Sequence, residues 1–233
     1  MSRATPRTRL SRRLKLFART VLHQITDAPL TMEEVTRPNT RRAYEALYRD
    51  PRLLQEYLSP LRLDFFREVA DLCASLRPAR VIDLGCGTGH VLQALDDTWR
   101  SSGAEPTASL YGIDYTLSAI AQAKKVAPQG NWVVGSIYTV CYPSDFFDLI
   151  LSTETFEHLE HPSQAMAEVT RICRSGGHVI MTVPDGEKDD WEGHVNFWTM
   201  TTLGEFLSRW FQVTEIRRVD EGRVLMAFAS KSL

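Results

Sequence analysis

Val81-Ile82-Asp83-Leu84-Gly85-Cys86-Gly87-Thr88-Gly89-His90 decides how this chain folds. A short apolar run ends in an acid and breaks into three glycines at alternate positions. A helical pattern then resumes with Val91, Leu92 and Leu95 on one face. Glycine tolerates positive φ and has no Cβ, so a ligand can lie almost against the backbone there. A strand-to-helix turn of this kind is where an open α/β sheet binds its ligand.

The spacing separates this loop from other glycine-rich turns. A dinucleotide fingerprint places its third glycine three residues after the second, whereas Gly87 and Gly89 are two apart. The Lys-Ser or Lys-Thr pair of a nucleotide-triphosphate loop is missing. Asp83 would repel an anion and suits a ligand with a cationic end, such as S-adenosylmethionine, with its ammonium and sulfonium. Asp83 to Gly89 resembles the first motif of class I S-adenosylmethionine-dependent methyltransferases almost letter for letter. That resemblance implies cofactor contacts by Asp83, Gly85, Cys86, Gly87 and Gly89. The alternative is a glycine-rich turn with no ligand, in which Cys86 is a small filler.

Three later stretches extend the resemblance. Leu110-Tyr111-Gly112-Ile113-Asp114-Tyr115-Thr116 reads as a strand ending in an acid 25 residues after Gly89. A carboxylate there can accept both ribose hydroxyls of an adenosine, in charge-assisted bonds worth roughly 1.5–3 kcal/mol each, or it can cap the next helix. The resemblance implies the ribose role for Asp114 and places Tyr115 near the adenine. In Asn131-Trp132-Val133-Val134-Gly135-Ser136-Ile137, family members carry an acid where this chain has Ser136. The adenine contact is then expected from the Ser136 hydroxyl and the backbone of Ile137. Phe147 to Leu159 reads as the fourth strand leaving into a short helix or turn. Its Glu154-Thr155-Phe156-Glu157-His158 resembles the Glu-x-x-Glu-His segment of small-molecule N-methyltransferases and cyclopropane-forming relatives, where these groups handle the acceptor's proton.

His158 and Glu154 are thus candidate catalytic residues, sharing one face if the segment is helical. Glu157 is expected to turn away into a structural hydrogen bond, and His161 to carry no function. A packing role for the acid-histidine pair is the alternative. The long connection from Val183 to Thr199 contains Gly193-His194-Val195-Asn196-Phe197-Trp198, and long ordered loops tend to carry function. His194 is a third catalytic candidate, or a residue that pins the loop.

From residue 79 the pattern alternates as α/β folds do. Strands are expected near 79–84, 108–113, 131–135, 147–152, 178–183, 212–219 and 223–229, and helices near 89–98, 116–125, 163–173 and 201–209. Only Asp220-Glu221-Gly222 separates the last two strands, which predicts an antiparallel hairpin. The resemblance implies a Rossmann-like α/β fold. Its seven-stranded, mostly parallel sheet has order 3-2-1-4-5-7-6, with the last strand antiparallel and helices on both faces.

Residues 78–233 are assigned to this domain, 30–77 to a helical segment forming part of an acceptor pocket or lid, and 1–29 to a leader. Helices are expected over 41–48 and 61–76, with Pro51 and Pro60 as punctuation and Tyr44, Tyr48 and Tyr57 as candidate pocket residues. Residues 1–26 hold seven basic side chains and no acid, with apolar residues at helical spacing. Such a leader suits peripheral membrane contact, organelle targeting or a solvated tail.

A net charge of −2 argues against a nucleic-acid surface. Four widely spaced cysteines without a C-x-x-C pair argue against zinc and fit a reducing, cytoplasmic setting. No metal is expected. The sequence points to methyl transfer onto an O or N nucleophile of a small molecule, such as a sugar, secondary metabolite or lipid-linked intermediate. The partners are then S-adenosyl-L-methionine and that acceptor, with a homodimer left open. An RNA methyltransferase and a non-catalytic cofactor-binding partner protein are the alternatives.

Overall fold

The computed structural model describes residues 39–102 and 108–233. The basic leader lies outside them, and so does the start of the helical segment.

Among the described residues three helices come first: α1 (Arg41–Arg49), α2 (Pro51–Tyr57) and α3 (Pro60–Ser75). The α/β alternation then runs β1 (Arg80–Leu84), α4 (His90–Ser101), β2 (Ser109–Asp114), α5 (Leu117–Val126), β3 (Asn131–Val134) and β4 (Phe147–Thr153). A 3-10 turn (Phe156–His158) leads to α6 (Pro162–Ile172), β5 (Cys173–Pro184), α7 (Met200–Leu207), β6 (Gln212–Val219) and β7 (Val224–Ser230). The strands form one sheet in the order β3-β2-β1-β4-β5-β7-β6. β1 to β5 are parallel, and β7 runs antiparallel to both β5 and β6.

Both faces of the central strands are covered, which is why they read as continuous apolar runs. Val81, Leu149 and Leu151 pack with Phe65, Val69 and Leu92 on one face. Ile82, Leu84 and Ile150 pack with Met166, Val169 and Leu203 on the other. A third cluster joins α1 and α2 to the start of α5 through Ala43, Leu47, Tyr48, Leu53 and Ala119.

The structure departs from the sequence reading in three places. Pro51 opens a helix of its own, since its fixed φ suits the first helical position and Asp50 caps α2 by accepting from Arg52 N at 2.9 Å. β5 begins at Cys173, five residues early. The Gly176-Gly177 pair does not turn; Gly176 N donates to Lys231 O at 3.0 Å and Lys231 N to Gly177 O at 2.9 Å. The expected antiparallel hairpin of β6 and β7 is present, and its connection is a 3-10 turn whose Asp220, Glu221 and Gly222 all have positive φ. Finally, Glu154 adopts φ +47 ahead of a turn of only three residues, so it and His158 do not share a helical face.

Candidate functional site

The glycine turn is bound to the end of β2. Gly85 N and Cys86 N both donate to Ile113 O, at 2.8 and 3.0 Å. Gly87 N donates to Asp114 Oδ2 at 3.1 Å. Gly85, Gly87 and Gly89 have φ of +81°, +49° and +77°, values that favour glycine. Their surroundings differ. A Cβ on Gly85 would collide with Thr155, and one on Gly87 would sit 3.2 Å from the Tyr48 hydroxyl. One on Gly89 would press Trp132 and Ala123, so that glycine lets α4 approach α5.

Asp114 is nearly saturated. Oδ1 accepts from Thr116 N (2.8 Å) and Thr116 Oγ1 (2.7 Å), and Oδ2 accepts from Gly87 N. Of roughly four acceptor positions on a carboxylate, one remains. The cap of α5 is supplied instead by Glu45 of α1, whose carboxylate accepts from Leu117 N at 2.8 Å and Ser118 N at 3.1 Å. Asp83 is fully buried with neither carboxylate oxygen hydrogen-bonded. Burial, then the neighbouring Asp114, push its pKa up to about 7.

A cavity of about 620 Å³ opens along the C-terminal ends of the strands, within the roughly 300–1,000 Å³ of ligand pockets. Gly85, Asp114, Tyr115, Ser136 and Ile137 line one part of it. The Ser136 hydroxyl already accepts from Tyr138 N at 3.1 Å. Cys86 and Gly87 line a smaller recess that also touches Gly85, Tyr57 and Arg62, while Asp83 and Gly89 line neither space. Tyr44, Tyr48 and Tyr57 all reach the large cavity. Tyr44 meets Tyr115 edge to face at 6.0 Å and lies 5.9 Å from the His158 ring.

Glu154, Glu157, His158 and His194 line another part of the cavity. Glu154 is paired with Arg62 at 2.6 Å, and Arg62 also donates to the Tyr57 hydroxyl at 3.1 Å. Glu157 does not turn away into a structural bond. Its side chain is buried, neither oxygen is hydrogen-bonded, and Oε1 lies 3.7 Å from His158 Nε2. Burial, then Glu154, push its carboxyl well above the ordinary range. His158 is pulled down to about 3 by burial and then by His194, so its imidazole is neutral. Its Nε2 is 3.4 Å from the Tyr44 hydroxyl.

His194 is held by Asp189, whose Oδ2 lies 2.6 Å from Nδ1. The loop itself is pinned by other groups. Val195 N and Asn196 N donate to Glu157 O at 2.8 and 3.1 Å, and Asn196 Nδ2 donates to Phe156 O and Leu159 O at 3.0 and 2.7 Å. His161 also borders the cavity.

Arg62, Asp189, Trp191 and Asn39 escaped the sequence reading. Only Asp189 left a signal, an acid five residues before a histidine in the long loop. The residues present fit S-adenosylmethionine in three respects. The glycine turn tolerates close approach, Asp114 keeps an acceptor position toward the cavity, and Tyr115 offers an aromatic face beside it. Glu157, His158 and His194 form a group whose ligand atoms lie within 4.8 Å of one another.

Comparison with known proteins agrees with this geometry. A model described as "Methyltransferase domain" matches residues 82–181. The chain is 30% identical to a malonyl-[acyl-carrier protein] O-methyltransferase of Pseudescherichia vulneris, over 68% of this chain and 65% of the relative. It is 32% identical to a ubiquinone biosynthesis O-methyltransferase of Alkalilimnicola ehrlichii, over 54% of this chain and 48% of the relative. The match to these two curated relatives therefore spans less than two thirds of their length. Among solved structures, N-methyltransferase NodS from Bradyrhizobium japonicum in complex with S-adenosyl-L-homocysteine superposes with a TM-score of 0.64. It covers 84% of this chain and 98% of that one at 18% identity, a likeness of fold. Sheet order, glycine turn and sequence relatives together make the chain a member of the class I S-adenosylmethionine-dependent methyltransferases.

Proposed function

We propose that this chain methylates an oxygen nucleophile of a small molecule that enters the cavity beside Glu157, His158 and His194. One observation carries the reading: a single cavity joins the end of β2, with Asp114 and Tyr115, to a buried acid-histidine cluster. S-adenosylmethionine supplies a methyl group already activated on a sulfonium, which a nucleophile displaces in line. Asp114 would hold one ribose hydroxyl at its remaining acceptor position. Tyr115 and Ile137 would bound the adenine, with Ser136 at the edge. Arg62 would neutralise the carboxylate end, an exchange of partners for a guanidinium now on Glu154. Asp83, sealed beneath the turn, would act through the charge it carries when ionised.

Alignment in such a site supplies on the order of 7–11 kcal/mol. An amine or an acidic phenol needs little further help. A hydroxyl gains perhaps 10²–10⁴-fold from a group that takes its proton. The Asp189-oriented His194 is suited to that work, with His158, held neutral beside it and pulled down to about 3, as a weak base that can only accept a hydrogen bond, and this favours oxygen over nitrogen. The two O-methyltransferase relatives agree.

The test is transfer of labelled methyl from S-adenosylmethionine into a fractionated metabolite extract, read by mass spectrometry. Label in a small hydroxyl compound supports the reading. Label confined to amines overturns oxygen as the nucleophile, label confined to RNA overturns the small-molecule acceptor, and no label under conditions where the cofactor binds overturns catalysis.

A further inference from the structure

The acid-histidine cluster holds more unused bonding capacity than proton handling requires. Glu157 is 1% exposed and presents two carboxylate oxygens with no hydrogen-bond partner. A buried carboxyl left this way costs stability, and nearby residues that could have satisfied it are placed otherwise. Arg62 goes to Glu154 and Tyr57, and Asn196 goes to the carbonyls of Phe156 and Leu159. The groups that do face Glu157 are two imidazoles. His158 Nε2 is 3.7 Å from Oε1, and the ligand atoms of Glu157, His158 and His194 all lie within 4.8 Å of one another.

We infer that Glu157, His158 and His194 bind a divalent transition-metal ion at the acceptor end of the cavity. Two imidazole nitrogens and one carboxylate are the donor set of three-ligand sites that keep a position open for water or substrate. Bonds of about 2.0–2.2 Å would bring these atoms to on the order of 3–3.5 Å apart. The 3.7 Å pair is already near that spacing, and small side-chain rotations supply the rest.

The surroundings match a metal site in a second respect. A ligating histidine almost always gives its other ring N–H to a carboxylate or carbonyl. His194 Nδ1 lies 2.6 Å from Asp189 Oδ2, and both side chains are 11% exposed. That bond fixes Nδ1 as the protonated nitrogen and turns Nε2 into the donor. The loop carrying His194 is tied to the turn carrying Glu157 by Val195 N and Asn196 N on the Glu157 carbonyl, so the ligands are held together by backbone. The open side of the site is the cavity, where Tyr44 and Trp191 stand beside the two histidines.

This inference deepens the proposed reading and rests on it for one consequence: the ion would hold the acceptor oxygen and acidify its hydroxyl. The binding itself is testable without any acceptor. The full chain is stripped with a chelator and titrated with Mn²⁺ followed by electron paramagnetic resonance, and with Zn²⁺ followed by calorimetry. S-adenosylmethionine is titrated separately. One saturable ion per chain is expected, bound at least tenfold more weakly by Glu157→Gln and by His194→Asn. Asp189→Asn is expected to weaken it by about 10–100-fold, with cofactor affinity unchanged in all three variants.

His158→Asn, near in shape, guards against a variant that fails to fold; circular dichroism confirms the fold of each. No saturable ion, or an ion held equally by wild type and all folded variants, overturns the site. If the ion fails and the cofactor still binds, the metal inference falls alone and methyl transfer by imidazole base stands. If the ion binds and the cofactor does not, the metal site stands and the methyltransferase reading falls.

Discussion

Asp83 holds its proton more tightly in the folded chain than in the unfolded one. Its ordinary pKa of 3.8 rises to about 7, through burial first and Asp114 second. A raised carboxyl pKa means the native state binds more protons between these two values, so stability falls as pH rises across that window. The loss is no more than about 4 kcal/mol at pH 8. The urea midpoint of Asp83→Asn is therefore expected to exceed that of wild type by more at pH 8 than at pH 5. Equal pH dependence in both proteins would show that Asp83 ionises freely. The same residue marks a limit of the sequence. Its place before the glycines was legible, and a direct clasp on the cofactor was the natural expectation, yet it lines neither the large cavity nor the smaller recess beside it. Strand alternation turns it toward the face where α3 packs, and Cys73 lies near it there.

At the scale of elements, α1 reaches across to complete the start of α5. Glu45 accepts from Leu117 N and Ser118 N and its own carbonyl accepts from the Ser118 hydroxyl. Removing a cap costs about 0.5–2 kcal/mol, so Glu45→Ala is expected to lower stability by that amount and to weaken cofactor binding, because Tyr115 and Asp114 precede the capped turn. Unchanged affinity and stability would make the cap incidental. The strands and the glycine turn were readable because hydrophobic runs, glycines and acids sit at local spacing. Helix α2 was missed because Pro51 was read as a stop, when its ring suits the first turn of a new helix. The Asp114 cap alternative failed for a different reason: its rival, Glu45, is 69 residues away in the chain, and no local pattern reports such a partner.

Across the whole molecule, the sheet and the N-terminal helices share one cavity, which the sheet builds on one side and Tyr44, Tyr48, Tyr57 and Arg62 close on the other. Leu47 is fully buried in the cluster that joins them. Leu47→Ala removes that contact at a cost of about 2–5 kcal/mol. It is expected to loosen α1 and α2 before the sheet, so hydrogen exchange should rise first over 41–57. Uniform loss of protection would mean the two parts unfold as one. Only the aromatic candidates on these helices were legible. Arg62 was not, since its partner Glu154 lies 92 residues away in the chain, and Asp189 left only its spacing to His194.

The account depends most directly on the cavity holding S-adenosylmethionine against Asp114. Calorimetric titration of the cofactor, and of its demethylated product, into wild type and Asp114→Ala tests this. One site per wild-type chain and a loss of affinity of tenfold or more in the variant, with the fold retained, is the expected result. No binding by wild type, or equal binding by both, would contradict it.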